Sequence, residues 1–151
     1  MSVPKSVIKF QKGTVVYTSS VDRASYTIKE LTRAALRDVG KFVARTANSQ
    51  AMKLKGLKKS RRARGRTSAF QYWVRKQEGD LQVGIKHGTW YGVEQELGAN
   101  KQPKRGILRS SVYDNIQRIV EIESQYLSAL EDEAAALSLI SEEEYQGGAD
   151  D

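Results

Sequence analysis

The sequence has no cysteine in 151 residues, which excludes disulfides, thiolate metal sites and thiol catalysis. It has no apolar run approaching the ~18 residues that a bilayer span requires. With 28% charged residues and a mean hydropathy of −0.57, a membrane-spanning helix is not expected. No apolar stretch follows Met1 that would serve as a secretion signal, so synthesis in the cytoplasm is expected. The single histidine, His87, has no second ligand at metal-binding spacing and reads as a turn residue. Glycine-rich phosphate loops, dinucleotide fingerprints and nucleophile elbows are all missing. Glu94 and Glu96 stand two apart, which on a helix sends them to different faces instead of one shared proton site. These absences point away from an enzyme, a metal site or a cofactor.

What the chain does have is charge, unevenly spread. Residues 1–120 hold all 25 Lys and Arg against 8 Asp and Glu, a balance of +17, whereas 121–151 hold 10 acids and no cation. The overall +7 therefore hides a dipolar molecule. Lys53, Lys55, Lys58, Lys59, Arg61, Arg62, Arg64 and Arg66 meet no acid between them, and their mutual repulsion predicts a flexible basic loop over 49–68. Such a loop has three destinations: the phosphates of DNA, an acidic protein surface, or water. It carries no interleaved aromatic residue, so base stacking is not suggested.

The apolar pattern predicts an α+β fold. Ile8 and Phe10, then Val15, Val16 and Tyr17, flank a turn-like Gln11-Lys12-Gly13 and read as a strand pair. From Tyr26 to Ala47 the residues Ile28, Leu31, Ala35, Val39, Phe42 and Val43 recur at helical spacing, with Ser25 as the N-cap and Gly40 a place for close approach. Phe70, Tyr72 and Val74 alternate with polar residues, turn through Gln77 to Asp80, and continue in Leu81, Val83 and Ile85, the pattern of a β-hairpin whose apolar face covers that helix. Trp73 falls on the opposite face. Leu108, Val112, Ile116, Ile119, Tyr126 and Leu130, widened by Val120 and Leu127, predict one long helix over 107–130. Residues 1–130 thus read as a single domain, a small antiparallel sheet of hairpin and N-terminal strands packed on the amphipathic helix and the long C-terminal helix. Residues 131–151 read as an acidic extension in which a helix continues or restarts through Ala134 to Ile140, and whose end, from Glu142, cannot order itself without a partner.

The run Tyr91-Gly92-Val93-Glu94-Gln95-Glu96-Leu97-Gly98, followed after a short loop by Pro103-Lys104-Arg105-Gly106-Ile107-Leu108 and a helix, resembles the head-tail joining or tail-completion proteins of long-tailed bacteriophages. Those proteins carry a tyrosine, then Glu-aromatic-Gly-Thr, a loop, and Pro-x-Arg-Pro-Phe-Leu opening the final helix. Glu96, Gly98, Pro103, Arg105 and Leu108 match; Leu97, Ala99, Gly106 and Ile107 depart. The order of elements over roughly residues 25–130 is also similar. The resemblance implies a structural adaptor: a ring, usually of six copies, in the virion neck, between portal or head-completion proteins and the tail tube or its terminator, with DNA crossing its centre.

In physical terms, Glu96 can pair with Arg105 across the loop, Gly98 can reverse the chain, and Leu108 can anchor the final helix. The charge split suits a head-to-tail contact between copies, which closes into a ring when the rotation suits. Trp73, Leu137 and Ile140 are the candidates for its apolar part, against the alternative that they pack within their own subunit. A second reading of the whole chain is a small basic nucleic-acid-binding protein using the 53–66 loop as a phosphate clamp.

Overall fold

A computed structural model describes residues 7–53, 69–87, 93, 96–98, 101 and 103–146. The fold is mixed α+β, as expected, with a different internal division. The strands are β1 (Val7–Lys12), β2 (Val15–Ser19), β3 (Phe70–Arg75) and β4 (Asp80–Ile85). The helices are α1 (Val21–Lys53), α2 (Ile107–Tyr113), α3 (Ile116–Ser128) and α4 (Glu133–Gln146), with a 3₁₀ turn at Ala129–Glu131. The sheet comes as two separate antiparallel hairpins, β1–β2 and β3–β4. The chain divides into two compact units, the residues up to Ala35 with those from Ser124 onward, and Leu36–Glu123.

In the first unit, β1 and β2 pair around a turn in which Gly13 has φ 62°, a left-handed conformation suited to glycine. α1 starts at Val21, before the expected Ser25, because Ser20 already supplies the first helical carbonyl, to Ala24 N–H at 2.9 Å, and Asp22 lies in the positively polarised first turn. Leu31, Ala34 and Ala35 are buried, as are Tyr126, Ala129, Ala136 and Ile140 from the C-terminal end. Asp132 Oδ1 accepts the N–H of Ala134 at 2.9 Å and starts α4. That helix runs through Glu142–Glu144 to Gln146, so the acidic end is helical further than expected; Ala, Leu, Glu and Gln are among the strongest helix formers.

In the second unit, the β3–β4 hairpin lies on the C-terminal half of α1. Phe70, Tyr72 and Val74 sit opposite Ile85, Val83 and Leu81, the register expected from their alternation. Gly40 makes the approach possible: a Cβ there would lie 2.6 Å from the Tyr72 ring and 2.9 Å from Leu81. Phe70 is buried with Ala47 and Ile107, and Ala51, Ala69, Ile85 and Leu108 pack around them. α1 continues to Lys53, so the first five residues of the expected 49–68 loop are helical.

The single long helix predicted over 107–130 is broken at Asp114–Asn115. Asn115 Nδ2 donates to the Ser111 carbonyl, and the Ser110 and Ser111 hydroxyls donate to that of Ile107. Side chains of this kind offer the backbone alternatives to a regular helix. The interruption shifts the phase of the apolar stripe: Leu108, Val112 and Ile119 are half-buried and Tyr126 buried, whereas Ile116, Val120, Leu127 and Leu130 are exposed. Among the described residues no helix is long and apolar enough to cross a membrane.

Candidate functional site: the capped turn at Glu96

α2 begins with a deficiency. Its N-cap is Gly106, which has no side chain to offer the first amides of the helix. The acceptor comes from Glu96 instead: its carboxylate receives the N–H of Leu108 at 3.0 and 3.1 Å and that of Arg109 at 3.2 Å. A carboxylate here also opposes the positive end of the helix dipole. Gly98 and Lys104 approach each other closely. Gly98 has φ 77°, and a Cβ on it would lie 2.7–3.0 Å from the Cβ, N and Cα of Lys104, so neither the conformation nor the space admits another residue easily. Gly106 has φ 56°, which a proline ring forbids. The departure from the resembled pattern at this position therefore has a local structural consequence.

α1 holds this turn against the hairpin. Asn48 Oδ1 accepts the N–H of Phe70 at 3.1 Å, and Asn48 Nδ2 donates to the Phe70 carbonyl at 3.3 Å. Two residues on, Gln50 Oε1 accepts the Ser110 hydroxyl at 3.0 Å and the Ser111 hydroxyl at 3.4 Å. Asn48 and Gln50 escaped the sequence reading. The one signal for Asn48 is a residue of poor helix propensity beside the buried Ala47.

The predicted residues divide as follows. Glu96, Gly98 and Leu108 come together in the capped turn. Pro103 is exposed, and Arg105 lies half-buried on the connecting segment. No ion pair joins Glu96 to Arg105: both carboxylate oxygens are taken by backbone amides, and Arg105 Nε is buried without a hydrogen-bond partner among the described residues. Tyr91 lies outside the described residues. Of the basic run, Lys53 ends α1, exposed, while Lys55, Lys58, Lys59, Arg61, Arg62, Arg64 and Arg66 lie outside the described residues.

Trp73 is 70% exposed on the outer face of the hairpin, opposite Gln82. Leu137 is half-buried and Ile140 buried within the chain, so of the three interface candidates Trp73 alone is open. At the end of the hairpin Arg75 forks onto Asp80, with Nε to Oδ1 at 2.6 Å and a second bond from Nη2 to Oδ2. That hydrogen bonding holds the Asp80 carboxyl below the usual carboxylate range. Arg109 stacks over the Tyr113 ring at 5.3 Å on α2. His87 is an exposed turn residue, and among the described residues no three His, Asp or Glu side chains cluster as a metal ion would need.

No protein-family model, curated protein or solved structure matches the chain.

Proposed function

We propose that the chain is a structural subunit of a tailed-bacteriophage virion, a tail-completion or head-tail joining adaptor that forms a ring in the neck between connector and tail. One observation carries the reading. Three residues of the resembled motif, Glu96, Gly98 and Leu108, meet in a closed turn, Glu96 capping the helix that Leu108 enters. The matched letters thus correspond to one local structure. The opposite charges of the two ends of the chain favour repeated head-to-tail contact between copies. The partners in this reading are portal or head-completion proteins on one side and the tail tube or its terminator on the other. The 53–66 cations are then available to axial DNA or to a neighbouring subunit. Such a protein works by shape and multivalent contact, without turnover.

Electron microscopy of intact tailed particles, with the chain labelled by gold-conjugated antibody, tests the reading. Label at the neck is expected; particles without it contradict the proposal. The rival reading, a nucleic-acid clamp, calls for monomers whose duplex affinity falls steeply with salt.

A further inference from the structure

In the first unit, β1–β2 is a two-stranded hairpin, an arrangement marginal in water without something packed on it. Side chains along a strand alternate between faces, so one face of a packed hairpin is covered. On β2 only Ser19, at its end, is buried: Val15 and Tyr17 on the same face are 66% and 58% exposed, and Val16 on the other is 48% exposed. The charge of the segment has one sign. Residues 1–20 contain Lys5, Lys9 and Lys12 and no acid.

The same unit carries a second bare surface of the opposite sign. Leu127 near the end of α3 and Leu130 in the 3₁₀ turn are three apart and exposed, Glu131 beside them is exposed, and residues 131–151 hold 8 acids and no cation. Both surfaces are open in the lone chain, so neither covers the other. Two hairpins meeting face to face would set lysine against lysine, and two acidic corners would set carboxylate against carboxylate.

We propose that the β1–β2 hairpin is an assembly arm that docks on the acidic, leucine-bearing corner Leu127–Leu130–Glu131 of a second copy. Val15 and Tyr17 cover the leucines, and Lys12, the cross-strand partner of Val15 on the same face, meets Glu131. The contact joins two different patches, so each copy gives an arm and receives one, and the chain of contacts closes into a ring when the rotation suits. The inference rests on the ring-adaptor reading and specifies how its subunits are joined.

The test measures particle mass of the purified full chain by mass photometry at physiological salt. The arm variant is Val15→Ser/Tyr17→Ser and the corner variant Leu127→Lys/Glu131→Lys, with circular dichroism to verify folding. The wild type is expected to assemble, and each variant alone to lose association at least tenfold. Their mixture, which retains one good arm and one good corner, should give 1:1 dimers. In a second pair, all at exposed positions, Lys12→Glu should weaken assembly and Lys12→Glu/Glu131→Lys restore it. Wild-type rings with unaffected variants overturn the arm while leaving the adaptor reading standing. A wild type that stays monomeric overturns both, and a hairpin whose variants lose duplex binding instead of assembly assigns the arm to DNA and overturns the proposal.

Discussion

The carboxylate of Glu96 accepts the backbone N–H of Leu108, twelve residues further along the chain, at the start of a helix whose own N-cap is a glycine. A capping function normally supplied by the adjacent residue is here supplied from across a loop, so the helix start and the loop's closure depend on one side chain.

Replacing that side chain should cost stability. Glu96→Ala leaves the Leu108 and Arg109 amides without their acceptor, and a loss of about 1–2 kcal/mol is expected. Glu96→Gln should lose less. Urea denaturation measures both.

A double-mutant cycle separates this role from an ion pair. Because Glu96 binds amides and not the guanidinium, Glu96→Ala and Arg105→Ala should be nearly additive, with coupling below about 0.5 kcal/mol. A coupling of 1 kcal/mol or more would restore the Glu96–Arg105 pair.

Asn48→Ala removes both hydrogen bonds to Phe70 and should destabilise by about 2 kcal/mol, since a main-chain donor and acceptor lose their partner in a partly buried place. Hydrogen exchange should report it first at the start of β3.

Gly40→Ala sets two effects against each other. Alanine gains up to about 1 kcal/mol of helix propensity. Its Cβ would lie 2.6 Å from the Tyr72 ring, and overpacking of that kind costs about 1–3 kcal/mol. Net destabilisation is expected; a raised melting temperature would show that the hairpin moves away freely.

The Arg75–Asp80 fork makes the hairpin weakly acid-sensitive. Arg75 depresses the Asp80 carboxyl below its ordinary value, so the folded chain binds that proton less readily than the unfolded chain. The stabilisation is therefore complete above the ordinary aspartate pKa of about 4 and declines as the pH falls below it. The melting-temperature gap between wild type and Asp80→Asn should hold steady above that range and narrow beneath it.

The sequence made the β3–β4 hairpin legible because Phe70, Tyr72 and Val74 alternate strictly and face Ile85, Val83 and Leu81 in register. Gly40 was legible as a point of approach for the same reason, a gap in an otherwise bulky helical stripe. The ends of α1 were not: Ser19, Ser20 and Ser25 are equally good caps on paper, and the first hydrogen bond decides. The break at Asp114–Asn115 was hidden because the apolar spacing passes from Val112 to Ile116 without a gap. The partner of Glu96 was hidden more deeply. Its acceptor role is toward backbone amides, which every residue but proline carries, so charge complementarity pointed to Arg105 instead.

The most direct test of assembly by unfinished surfaces is the mass distribution of the purified chain at physiological salt, followed over a hundredfold range of concentration. Closed rings of one fixed copy number, persisting on dilution, are the expected result. A monomer at every concentration would contradict the account.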